Sequence, residues 1–237
     1  MRVMPKGQRV QLKRETSSDR VLEVAAKLFR EKGYQATSVR EIALAAQMKS
    51  GSLYYHYPSK EALLDAVMNL AITKLTDEVA AAIRQTPPSA AFRARLKNAI
   101  HAHLTAIHQH IDLVIASRQS LNTLPQDSRA AHLTLRERYA QLWRNLLEDG
   151  KRSGEVAPGV DVVVVEMFIL GALNWTSEWL DPGRTSFERL SESLMQLVLD
   201  GAGAASTAPM GSHSVSGPHA RQATNPTTAG RRRVKSS

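Results

Sequence analysis

Thr37-Ser38-Val39-Arg40-Glu41-Ile42-Ala43-Leu44-Ala45-Ala46-Gln47-Met48-Lys49-Ser50-Gly51-Ser52-Leu53-Tyr54-Tyr55-His56-Tyr57-Pro58-Ser59-Lys60 reads as two helices of under three turns joined by a few residues around Gln47, Met48 and Lys49. Ser38 and Glu41 have capping-box spacing, in which the hydroxyl accepts the backbone N–H three residues on and the carboxylate reaches back. Val39, Ile42, Ala43 and Ala46 then form a narrow apolar stripe. The second helix spans Ser50 to His56 and ends there, because Pro58 disfavours helical geometry at Tyr57. Such a pair has the size of a helix-turn-helix, whose second helix enters the major groove of DNA. Leu53 and Tyr57, four apart, face inward, while Ser50 with Tyr54 and Ser52 with His56 form outward rows beside Gly51 and Tyr55. Hydroxyls, phenols and an imidazole can bond bases or phosphate oxygens, and Gly51 lets the backbone come close. The same spacing also fits an ordinary helical hairpin with half-buried tyrosines.

Outward from this stretch the period stays helical, and no segment alternates as a strand would. A first helix is expected from near Ser18 to Lys32, with Gly33 as its stop. Ser59 caps a long fourth helix running towards Arg84, and Pro87 and Pro88 end it. Further helices are expected at about Ser89 to His110, Asp112 to Asn122, and Asp127 to Lys151, the last bounded by Pro125 and Gly154. Asp161 caps a helix ending near Leu180 that is apolar nearly all round and should lie buried, with different partners on different sides. Thr185 with Glu188 forms a second capping box for a last helix carrying Phe187, Leu190, Leu194, Leu197 and Val198. From Gly203 onward, Gly, Ala, Ser, Thr and Pro without an apolar period read as a disordered tail.

Charge is distributed unevenly over the 237 residues. Residues 1–60 carry twelve Lys/Arg against five Asp/Glu, a net +7, while residues 61–202 are at −3 and residues 203–237 at +5. A basic head on a slightly acidic body is the pattern expected when one end meets a polyanion, most commonly nucleic acid. The chain has no cysteine, which excludes disulfide scaffolds, zinc fingers and thiol catalysis. No secretory signal opens it, and Val162 to Leu173 falls short of the ~20 apolar residues of a membrane span. A cytoplasmic protein without a membrane partner is expected. His101, His103, His108 and His110 do not suit one metal ion, since 101 and 103 stand ~200° apart on a helix and partners seven apart are ~10 Å apart. No phosphate loop, Ser-His-Asp order or paired-carboxylate motif is present, so neither an enzyme nor a cofactor is expected.

Thr37 to Ala43, followed by Gly51 to Leu63, resembles the amino-terminal domain of the TetR family of bacterial transcriptional regulators, the match spanning about Thr16 to Thr76. The resemblance implies an all-α homodimer with a three-helix, helix-turn-helix DNA-binding head and a helical ligand-binding and dimerisation body. Most members are repressors released from a palindromic operator by a small-molecule effector. On this chain that gives a basic flexible N-terminus at 1–14, a DNA-binding domain at 15–75 with its recognition motif at about 38–57, a ligand-binding and dimerisation domain at 76–202, and a disordered basic tail at 203–237. Carried over by position, contacts to double-stranded DNA fall to Ser38, Lys49, Ser50, Gly51, Tyr54, Tyr55, His56 and Lys60. Two departures stand out: Gln47 where the family usually has Gly in the turn, and Lys49 where it has Ser or Thr as the cap. Arg231 to Arg233 add at most a sequence-independent DNA affinity.

Gly171-Ala172-Leu173-Asn174-Trp175-Thr176 and Trp179 resemble a branch of the family whose ligands include acyl-coenzyme A thioesters. Trp175 and Trp179 share a helix face that can wall a pocket, seal a dimer seam or pack between helices without a ligand. Arg118 can pair with a ligand's phosphate or carboxylate, or with an internal acid. The fourth helix joins head to body and is the expected lever of release. The readings competing with a repressor are an activator of the same family and a small-molecule-binding or catalytic helical protein with a vestigial helix-turn-helix.

Overall fold

Nine α-helices and one 3-10 turn make up the regular structure of the described residues, with no strand among them. The computed structural model describes the backbone of residues 6–87, 89–181 and 183–202, and side chains from residue 18 to 201 within those spans. The helices are α1 (Lys6–Lys32), α2 (Val39–Ala45), α3 (Ser50–His56), α4 (Lys60–Gln85), α5 (Phe92–Gln109), α6 (Ile111–Ser120), α7 (Gln126–Ser153), α8 (Val162–Trp179) and α9 (Phe187–Ala202), with the 3-10 turn at Leu121–Thr123.

Helices as short as α2 and α3 do not persist alone in water, so burial must hold them. Ile42 and Leu53 supply it, both fully buried with Phe29, Leu63, Leu64, Val67 and Met68 in one core of the head. Each such side chain contributes ~1.5–3 kcal/mol on leaving water. A second core gathers Leu96, Ile100, Leu104 and Ile107 of α5, Trp143 and Leu147 of α7, Ile169 and Leu173 of α8, and Met195 and Leu199 of α9. Two helices belong to both cores. On α4, Leu63 to Ala71 lie in the first and Leu75 and Val79 in the second, so the boundary expected between 75 and 76 falls inside one continuous helix. On α6, Leu113 and Ala116 lie in the head core while Ile111 and Val114 pack against the other.

Several local expectations are corrected. The helix expected from Ser18 begins at Lys6, through most of the segment read as a flexible N-terminus at 1–14. Residues 6–17 are rich in Lys, Gln, Arg, Leu and Glu, good helix formers, and no proline separates them from Ser18. The helix expected from Ser89 starts at Phe92, where the Glu155 carboxylate, from the segment after α7, accepts the N–H groups of Phe92 at 2.8 Å and Arg93 at 3.3 Å. The cap of α9 is Ser186, whose Oγ accepts the Arg189 N–H at 3.2 Å, rather than Thr185. Thr185 is spent in the preceding turn, its N–H bonding the Asp181 carbonyl at 3.1 Å, and Glu188 bonds Lys97 at 2.6 Å instead of capping. The tail expected at 203–237 lies outside the described residues.

The largest correction concerns α8, which the other described residues do not cover on every side. At about 100° per residue its side chains fall into three sectors. Ile169, Leu173 and Thr176 are buried against the body core, and Val163, Met167, Leu170 and Asn174 line a cavity. Val164, Phe168, Trp175 and Trp179 form an exposed stripe, with Phe168 at 75% and Trp175 at 62% exposure. No helix among the described residues is long and apolar enough to cross a membrane.

Candidate nucleic-acid interface and body cavity

The Ser38 Oγ accepts the Glu41 N–H at 3.2 Å, and Glu41 Oε2 accepts the Ser38 N–H at 2.8 Å, completing the capping box of α2. Lys32 adds an ammonium 3.0 Å from the other Glu41 oxygen. The Ser38 backbone N–H first, and then Lys32, hold the Glu41 carboxyl down to about 2. At the far end of α2 the Met48 N–H bonds the Ala43 carbonyl at 2.8 Å and the Gln47 N–H bonds the Leu44 carbonyl at 3.0 Å. This is a Schellman end, and its left-handed position is held by Gln47 at φ 58° where glycine usually stands. The substitution costs roughly 1 kcal/mol.

Lys49 precedes α3 without a side-chain cap, leaving its exposed ammonium unengaged by the helix. Leu53 is fully buried beneath α3, while Gly51, Ser52, Tyr54, Tyr55 and His56 are exposed and Ser50 is half-buried. Tyr55, 86% exposed, meets the His56 ring edge-on at 5.3 Å. The Tyr57 hydroxyl lies 2.9 Å from the Ser18 hydroxyl and ties α3 to α1. Ser59 caps α4 through the Ala62 N–H at 3.0 Å. Lys60, the first residue of α4, sends its ammonium to the Gln35 carbonyl at 3.1 Å and over the Tyr34 ring at 4.2 Å. Ser38 and Lys60 thus lie at the amino-terminal ends of α2 and α4, and the remaining candidates lie on α3 or just before it. Arg40, exposed in the first turn of α2, is a further cation of this head.

The body holds a cavity of about 720 Å³ between α4, α6, α7 and α8. Its apolar wall includes Ile72, Leu75, Val114, Leu121 and Leu170. Arg118 and Arg136 line it too, with Arg118 held by Glu178 and, at 3.4 Å, by the Ser177 hydroxyl. Arg144 also lines it, bonding Glu137 and reaching Glu166 Oε2 at 3.3 Å. Burial pushes the Glu166 carboxyl up, against the pull of Arg144. Tyr139, in the wall, meets His103 Nδ1 at 2.5 Å. Burial drives His103 down to about 3, so it is neutral.

Of the three ligand candidates, Arg118 lines this cavity, whereas Trp175 and Trp179 stand on the exposed stripe of α8 and do not. The indoles fall about 100–180° round the helix from Asn174 and Leu170, away from the cavity. Arg136, Arg144 and Glu166 were not singled out from the sequence, although a lone carboxylate within Val162–Leu170 is a signal that could have found Glu166. Of the four histidines, His103 meets Tyr139, His110 meets Glu78 at 2.8 Å, and His101 and His108 both meet the Phe187 ring.

The family model described as "Bacterial regulatory proteins, tetR family" matches residues 21–67, and that described as "Tetracyclin repressor-like, C-terminal domain" matches residues 89–202. The HTH-type transcriptional repressor KstR2 of Mycolicibacterium smegmatis is 31% identical over 189 residues, covering 77% of this chain and 89% of its own. Its namesake in Mycobacterium tuberculosis is 31% identical over 185 residues, covering 76% and 90%. Among solved structures, the regulator PfmR of Thermus thermophilus has a TM-score of 0.67 at 31% identity, covering 76% of this chain and 97% of its own. AibR in complex with isovaleryl coenzyme A and operator DNA has a TM-score of 0.66 at 26% identity, with the same coverage.

Proposed function

Because the chain belongs to the TetR family of bacterial transcriptional regulators, we propose that it is a repressor whose α3 docks in the major groove and whose body cavity takes the effector that releases it. The observation that carries this is one polypeptide in which an outward polar helix on a basic head shares α4 and α6 with a 720 Å³ cavity. Ser50 and Tyr55 are positioned to read bases, and Ser38, Lys49, Gly51, Tyr54, His56 and Lys60 to seat the head on the phosphate backbone. Lys60 would exchange the Gln35 carbonyl for a phosphate oxygen, its cationic stacking on Tyr34 keeping it in place.

Two copies pair through the exposed stripe of α8 and the outer face of α9, where Leu197 is 71% exposed. Four helices then form the seam, and Trp175 and Trp179 belong to it rather than to the cavity. A two-fold pair sets two recognition helices about 34–36 Å apart or somewhat more, against successive major grooves of a palindrome.

The cavity suits an amphipathic anion, its apolar wall taking the chain and Arg118 and Arg136 the charge. An acyl-coenzyme A meets that description, and AibR, similar in fold, was solved with one. Release requires that the effector favour the arrangement of heads that misses the groove spacing, since equal binding to both shifts nothing. A gel shift over fragments flanking the protein's own coding region tests the reading, with added acyl-coenzyme A thioesters expected to free the DNA. Absent or salt-insensitive DNA binding would overturn it. Tryptophan emission is a second readout, because Trp143 lies 6.4 Å from the Tyr139 ring in the cavity wall.

A further inference from the structure

Two ion pairs mark the length of the cavity along α8. Arg144 meets Glu166 near the amino-terminal end of α8 and Arg118 meets Glu178 near its carboxy-terminal end, so the two arginines lie towards opposite ends of the trough. Glu166 and Glu178 are twelve residues apart on α8, about 18 Å at 1.5 Å per residue. Arg136, exposed and without an ion pair among the described residues, and Arg118, 42% exposed, also line the cavity, so its cationic groups are open to solvent.

The Glu166 end has a different chemistry. The Glu166 side chain is 5% exposed, and its only hydrogen bond among the described residues runs from Arg144 to Oε2. Arg144, itself 13% exposed, divides its guanidinium between Glu166 and Glu137. Glu166 lines the cavity and its Oε1 has no protein donor among the described residues, so a ligand that displaces water from the cavity must supply one. We propose that this oxygen is a specificity element of the effector site: it accepts a hydrogen bond from a hydroxyl at the far end of an acyl chain whose anionic group sits at Arg118 and Arg136. This rests on the reading of the cavity as the effector site and adds the chemistry of the buried end. A hydroxyl suits it better than an ammonium, because stripping water from a cation against Leu75, Val114 and Leu170 costs more than a carboxylate already shared with Arg144 returns. A site built to bond a hydroxyl rejects the analogue that lacks it, because its own polar group is then left unpaired.

Matched probes test this by titration into the full chain: dodecanoate, 12-hydroxydodecanoate and 12-aminododecanoate, each as free acid and as coenzyme A thioester, followed by calorimetry. The hydroxylated probe is expected to bind about tenfold or more tightly than dodecanoate. Glu166→Met should abolish that preference and Glu166→Gln, which keeps an acceptor oxygen, should retain part of it. Arg136→Ala should weaken hydroxylated and plain probes by the same factor, and it leaves the buried end intact should Glu166→Met fail to fold. Equal affinity for the two probes in the wild type, or a preference that survives Glu166→Met, overturns the inference while leaving the cavity an effector site. Preference for the amino probe overturns it in favour of a cationic ligand. Binding of no probe removes the effector reading itself.

Discussion

Arg30 of α1 donates from Nη1 to Asp112 Oδ1 of α6 at 2.5 Å, linking the DNA-binding head to the helix that lines one side of the cavity. Val114, Ser117 and Arg118 of α6 face the cavity while Leu113 and Ala116 are buried among the head's own residues. With α4, α6 is therefore an element common to the head core and the cavity wall.

Both side chains of this pair are a third or more exposed, so a double-mutant cycle of Arg30→Ala and Asp112→Ala by urea unfolding should give a coupling of about 1 kcal/mol or less. The effect on switching should be larger: Asp112→Ala is expected to reduce, at least threefold, the ratio of operator affinities without and with dodecanoyl-coenzyme A. An unchanged ratio in fluorescence anisotropy would mean that the pair does not transmit the signal.

Gln47 supplies a direct test of backbone strain. Replacing it with glycine removes the penalty of φ 58° and should stabilise the protein by ~0.5–1 kcal/mol, a rise of roughly 1–4 °C in Tm. Gln47→Val should lower Tm, since a β-branched side chain tolerates this region least. Differential scanning calorimetry on both variants checks the sign.

Glu41 makes the head acid-sensitive. Its folded pKa lies near 2, below the ordinary 4.5, so its contribution is present above about pH 4.5 and is lost as pH falls towards 2. Thermal melts between pH 5 and 2.5 should show Tm falling less steeply in Glu41→Gln than in the wild type. Parallel slopes would remove the capping box as a source of the sensitivity.

On DNA, Lys60→Ala should weaken all operators similarly and reduce the salt slope by about one, whereas Tyr55→Phe should alter preference among operators. Lys60→Ala should also lower the stability of the head, because the stacking on Tyr34, worth ~0.5–1 kcal/mol, disappears with it. A changed preference with an intact slope for Lys60→Ala would reverse the two roles.

Phe168→Glu should leave helicity by circular dichroism unchanged, since the ring touches little of its own chain at 75% exposure. Light scattering at micromolar concentration should then give a monomeric mass, with operator affinity lost. A dimer that persists would place the seam elsewhere.

The head was legible from local chemistry. Ser38, Glu41, Ser59 and Pro58 act within a few residues of themselves, and their bonds appear where spacing alone puts them. What escaped depends on partners distant in the chain. Glu155 caps α5 from more than sixty residues away, and no local pattern announces that. The apolar period of Val162 to Trp179 shows that α8 needs cover but does not say which sector meets core, cavity or solvent. The tryptophans were weighed for the cavity on shared spacing, whereas the paired charges of Arg144 and Glu166 emerge only when α7 and α8 come together.

The three sectors of α8 also bear on how such regulators diverge. Changes at Met167 or Asn174 alter the cavity wall and leave Val164, Phe168, Trp175 and Trp179 untouched. After a gene duplication, two copies that drift only in the cavity sector would keep compatible seams and exchange subunits, giving mixed dimers that answer to two signals. Separate sensing would then require a second round of change along the exposed stripe, so insulation between sister regulators is a property to seek at Phe168 and Trp175 rather than in the residues that bind ligand.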